Sequence, residues 1–167
     1  MQTVGKLERF LASLLVMAGG MGVLLGIVVM GVSGIAEPGG MLFGLLATGA
    51  SALLVGAGVL LWRGHRLGRP MALVLFITQV PIIETPAFAA YWYSGLSLGP
   101  MVVWLESAWQ TTLTFSVGVG GTLEWNRAGD QTALGINLVA LLAAIALWKR
   151  KNPGQSALSA SALPSVD

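Results

Sequence analysis

Glu84 carries the most chemical potential in this chain, because it lies in an apolar run that leaves a carboxyl little access to water. Its neighbourhood reads Thr78-Gln79-Val80-Pro81-Ile82-Ile83-Glu84-Thr85-Pro86. Read as a membrane helix over 71–91, this stretch puts Glu84 about 20 Å along a helix that rises ~1.5 Å per residue, with Gln79 nearer the midplane. Pro81 and Pro86 cannot donate backbone hydrogen bonds, so the helix is predicted to kink and to leave the carbonyls of Ile77 and Ile82 without partners. Asn137, near the start of a last apolar run over 132–148, lies at a depth from which it can face Glu84. Ionisable side chains inside a span are costly and mark ion paths or proton relays. Glu84, Gln79 and Asn137 are therefore the candidate intramembrane polar site, with Glu84 as its proton- or cation-responsive group. The structural alternative is a carboxyl that reaches the outer interface or ties the kinked helix to the fourth one. No second charge lies within the spans to complete a relay, which favours that alternative.

Other chemistries are excluded by residue type. The chain has no Cys, which removes disulfides, thiol nucleophiles and Cys-ligated metals. His65 is its only histidine and lies in a basic loop, Arg63-Gly64-His65-Arg66-Leu67-Gly68-Arg69. Neither a phosphate-binding Gly-rich loop nor a nucleophile elbow is present. No enzyme activity, cofactor, metal or nucleic-acid partner is expected.

Two further sets of residues point to contact rather than reaction. Ala18, Gly22 and Gly26 recur every four residues, and so do Gly44, Thr48, Ala52 and Gly56. Small residues at that spacing let helices approach closely where lipid supplies no hydrophobic drive. They form a candidate helix-packing face, within the chain or toward a protein partner or second copy. Trp104, Trp109 and Trp125 crowd one segment and form a candidate outer partner patch, or seat that segment on the bilayer surface.

The elements that position these residues follow from hydropathy and charge. The chain of 167 residues is 55% hydrophobic and 10% charged, with a formal net charge of +2; soluble domains carry roughly a quarter charged residues. Apolar runs over 10–35, 41–62, 71–91 and 132–148 are read as four membrane helices. The first run is longer than the ~7–15-residue core of a cleaved signal. With the N-terminus inside, Lys6, Arg9, Arg63, Arg66, Arg69, Lys149, Arg150 and Lys151 all fall on one face. Glu37, Glu106, Glu124, Asp130 and Arg127 fall on the other. That asymmetry orients both termini to the cytoplasm of a bacterial-type plasma (inner) membrane.

Between the third and fourth runs, over 94–131, period-two alternation from Thr111 to Val119 signals a strand. Gly120-Gly121 is read as a hairpin turn, Thr122 to Trp125 as the return strand and Met101 to Leu105 as a third. Residues 152–167 lack the apolar content to fold and are read as a disordered cytosolic tail. The expected fold is thus a single all-α domain over 1–151, a four-helix transmembrane bundle with a small extracytoplasmic β-hairpin between helices 3 and 4. The expected role is a non-enzymatic interaction or accessory subunit of a membrane complex. The alternative is a small oligomeric transporter or channel using Glu84.

Overall fold

The computed structural model describes residues 4–33, 38–105, 108–125 and 131–149. The chain runs α1 (Lys6–Ser33), α2 (Pro38–Trp62), α3 (Gly68–Thr78), β1 (Pro81–Glu84), β2 (Phe88–Leu105), β3 (Ala108–Trp125), β4 (Thr132–Ile136) and α4 (Leu138–Lys149). The tail over 152–167 lies outside the described residues, as do Glu37, Glu106, Arg127, Asp130, Arg150 and Lys151.

Among the described residues, α1 and α2 are the helices long and apolar enough to cross a membrane. Their mean hydropathy is 2.3 over Lys6–Val28 and 1.9 over Leu45–Trp62. Pro38 opens α2 at a first-turn position, where a missing N–H costs nothing. The two helices pack antiparallel over small residues. A Cβ at Gly19 would sit 2.6 Å from the Ser51 carbonyl oxygen, and one at Gly58 would sit 2.9 Å from that of Ala12. Gly26 closes directly on the Thr48 side chain. Ala18, Gly22 and Gly26 are therefore buried within the chain. Of the second ladder, Thr48 meets α1, Ala52 is exposed and Gly56 faces open space. Gly44 lies in α2, where its surroundings are not described.

The rest of the chain departs from an all-α four-helix bundle. Helices α3 and α4 have only 11 and 12 residues, about 17 Å each at ~1.5 Å per residue. Strands β1 to β4, between α3 and α4, form a four-stranded antiparallel sheet. The expected third helix stops at Thr78 because Pro81 lacks the N–H that would bond Ile77, and because the residue before a proline disfavours helical angles. Ile82-Ile83 are β-branched and continue as strand, with Pro81 at the strand's first position, where its missing donor is tolerated. The expected fourth helix starts at Leu138 rather than Thr132, because Thr132–Ile136 is strand β4. Only at their basic ends do all four helices share a core, built on Leu11, Leu15, Leu54, Phe76, Ala140 and Leu147.

The sheet order is β1-β4-β2-β3, and β1 also pairs with β2. Ile83 lies opposite Leu134 on one edge and Ala90 on the other, and Leu134 is in turn opposite Val102. Residues 90 and 102 of β2 are thus about three strand spacings apart, near 14 Å, although a straight strand would separate them by roughly 40 Å. Strand β2 must fold back between them. Gly95, at φ 92°, lies in that stretch, and Gly99 lets the Ile136 carbonyl close against the backbone. Strand β3 follows β2 around the bend in unbroken register from Phe88↔Trp125 to Leu105↔Ala108.

The expected hairpin turn at Gly120-Gly121 is therefore mid-strand. Those glycines oppose Tyr93 and Trp92, and a Cβ at Gly120 would meet the Tyr93 hydroxyl at 2.6 Å. Here glycine makes room for a cross-strand ring. The chain reverses instead between Leu105 and Ala108.

Gly19 and Gly49 make a matched pair for testing the α1–α2 contact, since nothing lies within 4 Å of a Cβ at Gly49. Gly49→Ala should leave stability unchanged or raise it by up to about 1 kcal/mol through helix propensity. Gly19→Ala should lower it by about 1–3 kcal/mol through overpacking. Thermal unfolding in detergent, followed by circular dichroism, reads both.

Candidate functional site at the helix–strand junction

The end of a helix inside an apolar interior leaves backbone groups without partners, and the residues placed there must satisfy them. Gln79 does so where α3 ends. Its backbone N–H donates to Phe76 O at 3.0 Å, and its side-chain Nε2 donates to Leu75 O at 3.1 Å. Its Oε1 accepts the N–H of Ser94 at 2.9 Å, which fastens β2 to α3 across 15 residues of sequence. Gln79 is 2% exposed.

Asn137 performs the matching task where α4 begins. Its Oδ1 accepts the N–H groups of Val139 and Ala140 at 3.2 and 3.3 Å, the geometry of an N-cap. Its carbonyl receives the Leu141 N–H at 3.0 Å, and its own N–H donates to Val80 O at 2.8 Å. That last bond sets the start of α4 beside the end of α3. Asn137 is 1% exposed, and among the described residues its Nδ2 has no acceptor. The Ser94 hydroxyl oxygen is likewise buried and unpaired. Ser94 lines a cavity of about 20 Å³ together with Leu14, Phe76, Gln79, Gly95 and Ala140, a space on the scale of one water molecule.

The structure thus brings Gln79 and Asn137 to one level and leaves Glu84 away from it. Glu84 lies at the far end of β1, opposite Ala133 and Ala89, and is half-buried. Five residues separate it from Gln79, roughly 16 Å at ~3.3 Å per strand residue. Ser94 and Gly95 belong to the junction and were not singled out in the sequence. The available signal was Asn137, an N-capping residue type directly before an apolar run.

The other sequence candidates divide between the two ends of the molecule. Trp104 and Trp109 are a cross-strand pair near the β2–β3 turn, with ring centroids 4.6 Å apart and planes at 56°. Trp109 is 60% exposed and Trp104 half-buried. Trp125 is at the other end of β3, at the register position opposite Phe88. At the basic end, Arg69 Nε donates to Leu147 O at 2.9 Å, and Nη2 reaches Trp148 O at 3.5 Å. A cation there satisfies the last carbonyls of α4 and complements the helix dipole. No family model, curated protein or solved structure matches this chain.

Gln79→Leu keeps volume and removes the acceptor for a buried N–H. It should cost about 1–3 kcal/mol and raise amide hydrogen exchange at Ser94 selectively. Unchanged protection at Ser94 would show that the side-chain bond does not hold β2 in place.

Proposed function

We propose that this chain is a multi-pass protein of a bacterial-type plasma membrane that acts without catalysis, as an interaction or accessory subunit of a larger assembly. The orientation is supported by where the helix ends fall. Lys6 and Arg9 open α1, Arg63 and Arg66 follow α2, Arg69 opens α3 and Lys149 closes α4. The Arg69–Leu147 bond and the seat of Gly68 against Leu61 draw these ends together. A basic cluster on one face is the mark of the cytoplasmic side.

The observation that carries the interaction reading is the free edge of β3. This 18-residue strand pairs with β2 along its whole length, and among the described residues no strand pairs with its other edge. Natural edges are blunted by charge, proline or bulges, yet residues 108–123 contain no charged residue and no proline. Leu113, Phe115 and Val117 project outward at 70%, 65% and 69% exposure. An edge of this kind suits addition of a partner strand. The small-residue ladder offers less, because its α1 half is consumed by packing inside the chain. Transport is also less well supported, since Gln79 and Asn137 bond the chain's own backbone.

Photocrosslinking from position 112, exposed on the opposite face of β3 from Leu113, in native membranes, then purification in mild detergent, should capture a stoichiometric protein, either a second copy or another chain. A monomer that crosslinks only to lipid would overturn the proposal. In liposomes, the native protein and Glu84→Gln should both pass no ions or dye; flux that depends on Glu84 would favour the transport reading instead.

A further inference from the structure

The depth at which the sheet lies can be worked out from the helices it touches. At ~1.5 Å per residue, the 28 residues of α1 and 25 of α2 measure about 42 and 37 Å, more than the ~30 Å hydrocarbon core. Helices α3 and α4 lie against the same basic end, α3 starting and α4 finishing there, and cover little more than half that core. A Cβ at Gly95, in the folded-back part of β2, would lie 3.4 Å from the Ala18 Cβ. Ala18 is twelve residues after Lys6, which is about 18 Å along α1, near the middle of its span. From there β1, β4 and both arms of the β2–β3 ribbon continue where α3 and α4 leave off.

The surface they present matches that depth. Leu96, Leu113, Phe115, Val117, Leu134 and Ile136 are exposed, while Thr114 and Ser116 turn inward to half-buried positions. Apolar-out alternation is the pattern of strands that face lipid. Toward the β2–β3 turn the character changes: Gln110, Thr111 and Thr112 are exposed next to the Trp104–Trp109 pair, the composition expected at a membrane–water interface.

Away from the free edge of β3, which the partner strand proposed above would pair, the backbone also meets the conditions for low dielectric. Strands β1, β4 and β2 close a ring of ladder bonds, and Gln79 and Asn137 satisfy the helix ends without bulk water.

We infer that the sheet is embedded in the outer leaflet, with Leu113, Phe115 and Val117 against lipid acyl chains, so that the third and fourth crossings are each half helix and half strand. Segment α3–β1 makes one and β4–α4 the other. The inference rests on the multi-pass reading above and extends it from the helices to the strands.

The chain has no Cys, so single cysteines can be placed without background. The full chain carrying Gln110→Cys, Phe115→Cys, Val117→Cys or Leu24→Cys is labelled with an environment-sensitive fluorophore and reconstituted in phosphatidylcholine–phosphatidylglycerol vesicles. Circular dichroism selects variants that keep the native helix and strand signals. Labels at 115 and 117 should be quenched by chain-brominated lipid and be several-fold less accessible to aqueous iodide than the label at 110. Position 24, exposed on α1, reports the helical span itself. If 24 is lipid-shielded while 115 and 117 are open to iodide, the sheet stands in water and this inference alone falls. If 24 is also open to iodide, the multi-pass reading falls with it. Shielding of 115 and 117 from both quenchers would assign the face to protein and overturn the lipid contact.

Discussion

A helix that stops inside an apolar interior must hand its backbone to something else, and the architecture of this chain follows from how that is done. Helices α3 and α4 stop on opposite sides of one buried junction, and two amide side chains resolve both ends. Gln79 ties the last turn of α3 to the N–H of Ser94, and Asn137 caps α4 while donating to Val80 O. An unpaired backbone donor or acceptor in such surroundings costs on the order of a few kcal/mol. These amides are therefore structural members, each bonded to the chain's own backbone. The same two residues bring β1 and β4 side by side, and the rest of the sheet is built on that pair.

Once β1 and β4 are adjacent, β2 has to reach both. It pairs with β1 near Ala90 and with β4 from Met101 to Trp104, which requires the strand to double back within a dozen residues. Gly95 and Gly99 permit this: one adopts a left-handed φ and the other accepts a carbonyl where a side chain would stand. Strand β3 is carried round as the outer member of the ribbon. Its length and its edge position are consequences of the bend, because β2 spends its inner edge on β1 and β4 and leaves β3 with one neighbour among the described strands.

Much of this was legible in residue order. The grouping of basic residues at one end, the two long spans and the close contact of α1 with α2 at Gly26 and Thr48 follow from local composition and spacing, whereas Gly19 and Gly58, which make the same contact, lie outside both four-residue ladders. The alternation from Thr111 to Val119 marks a strand correctly, but Gly120-Gly121 was misread as its turn. A pair of glycines signals a hairpin only if its neighbours do not need the space, and Tyr93 does. The candidate site was half legible. Asn137 bonds the backbone of Val80, the residue after Gln79, while Glu84 lies farther off, because a strand carries it away from Gln79 about twice as fast per residue as a helix would.

By itself, then, the sequence marks where helices can be interrupted or capped and which end of each is basic. Pro81 forbids the bond that would extend α3, Asn137 supplies the cap that starts α4, and Lys and Arg mark one face. It does not determine what the apolar residues after Thr78 and before Leu138 become. A run such as Val80 to Tyr93 is hydrophobic enough for either a helix or a buried strand, and periodicity does not separate the two. A helix satisfies its backbone locally, whereas a strand needs partners from elsewhere in the chain. Those partners, Phe88–Leu105 and Thr132–Ile136, lie side by side only in the folded molecule, so the choice of strand was made by tertiary structure.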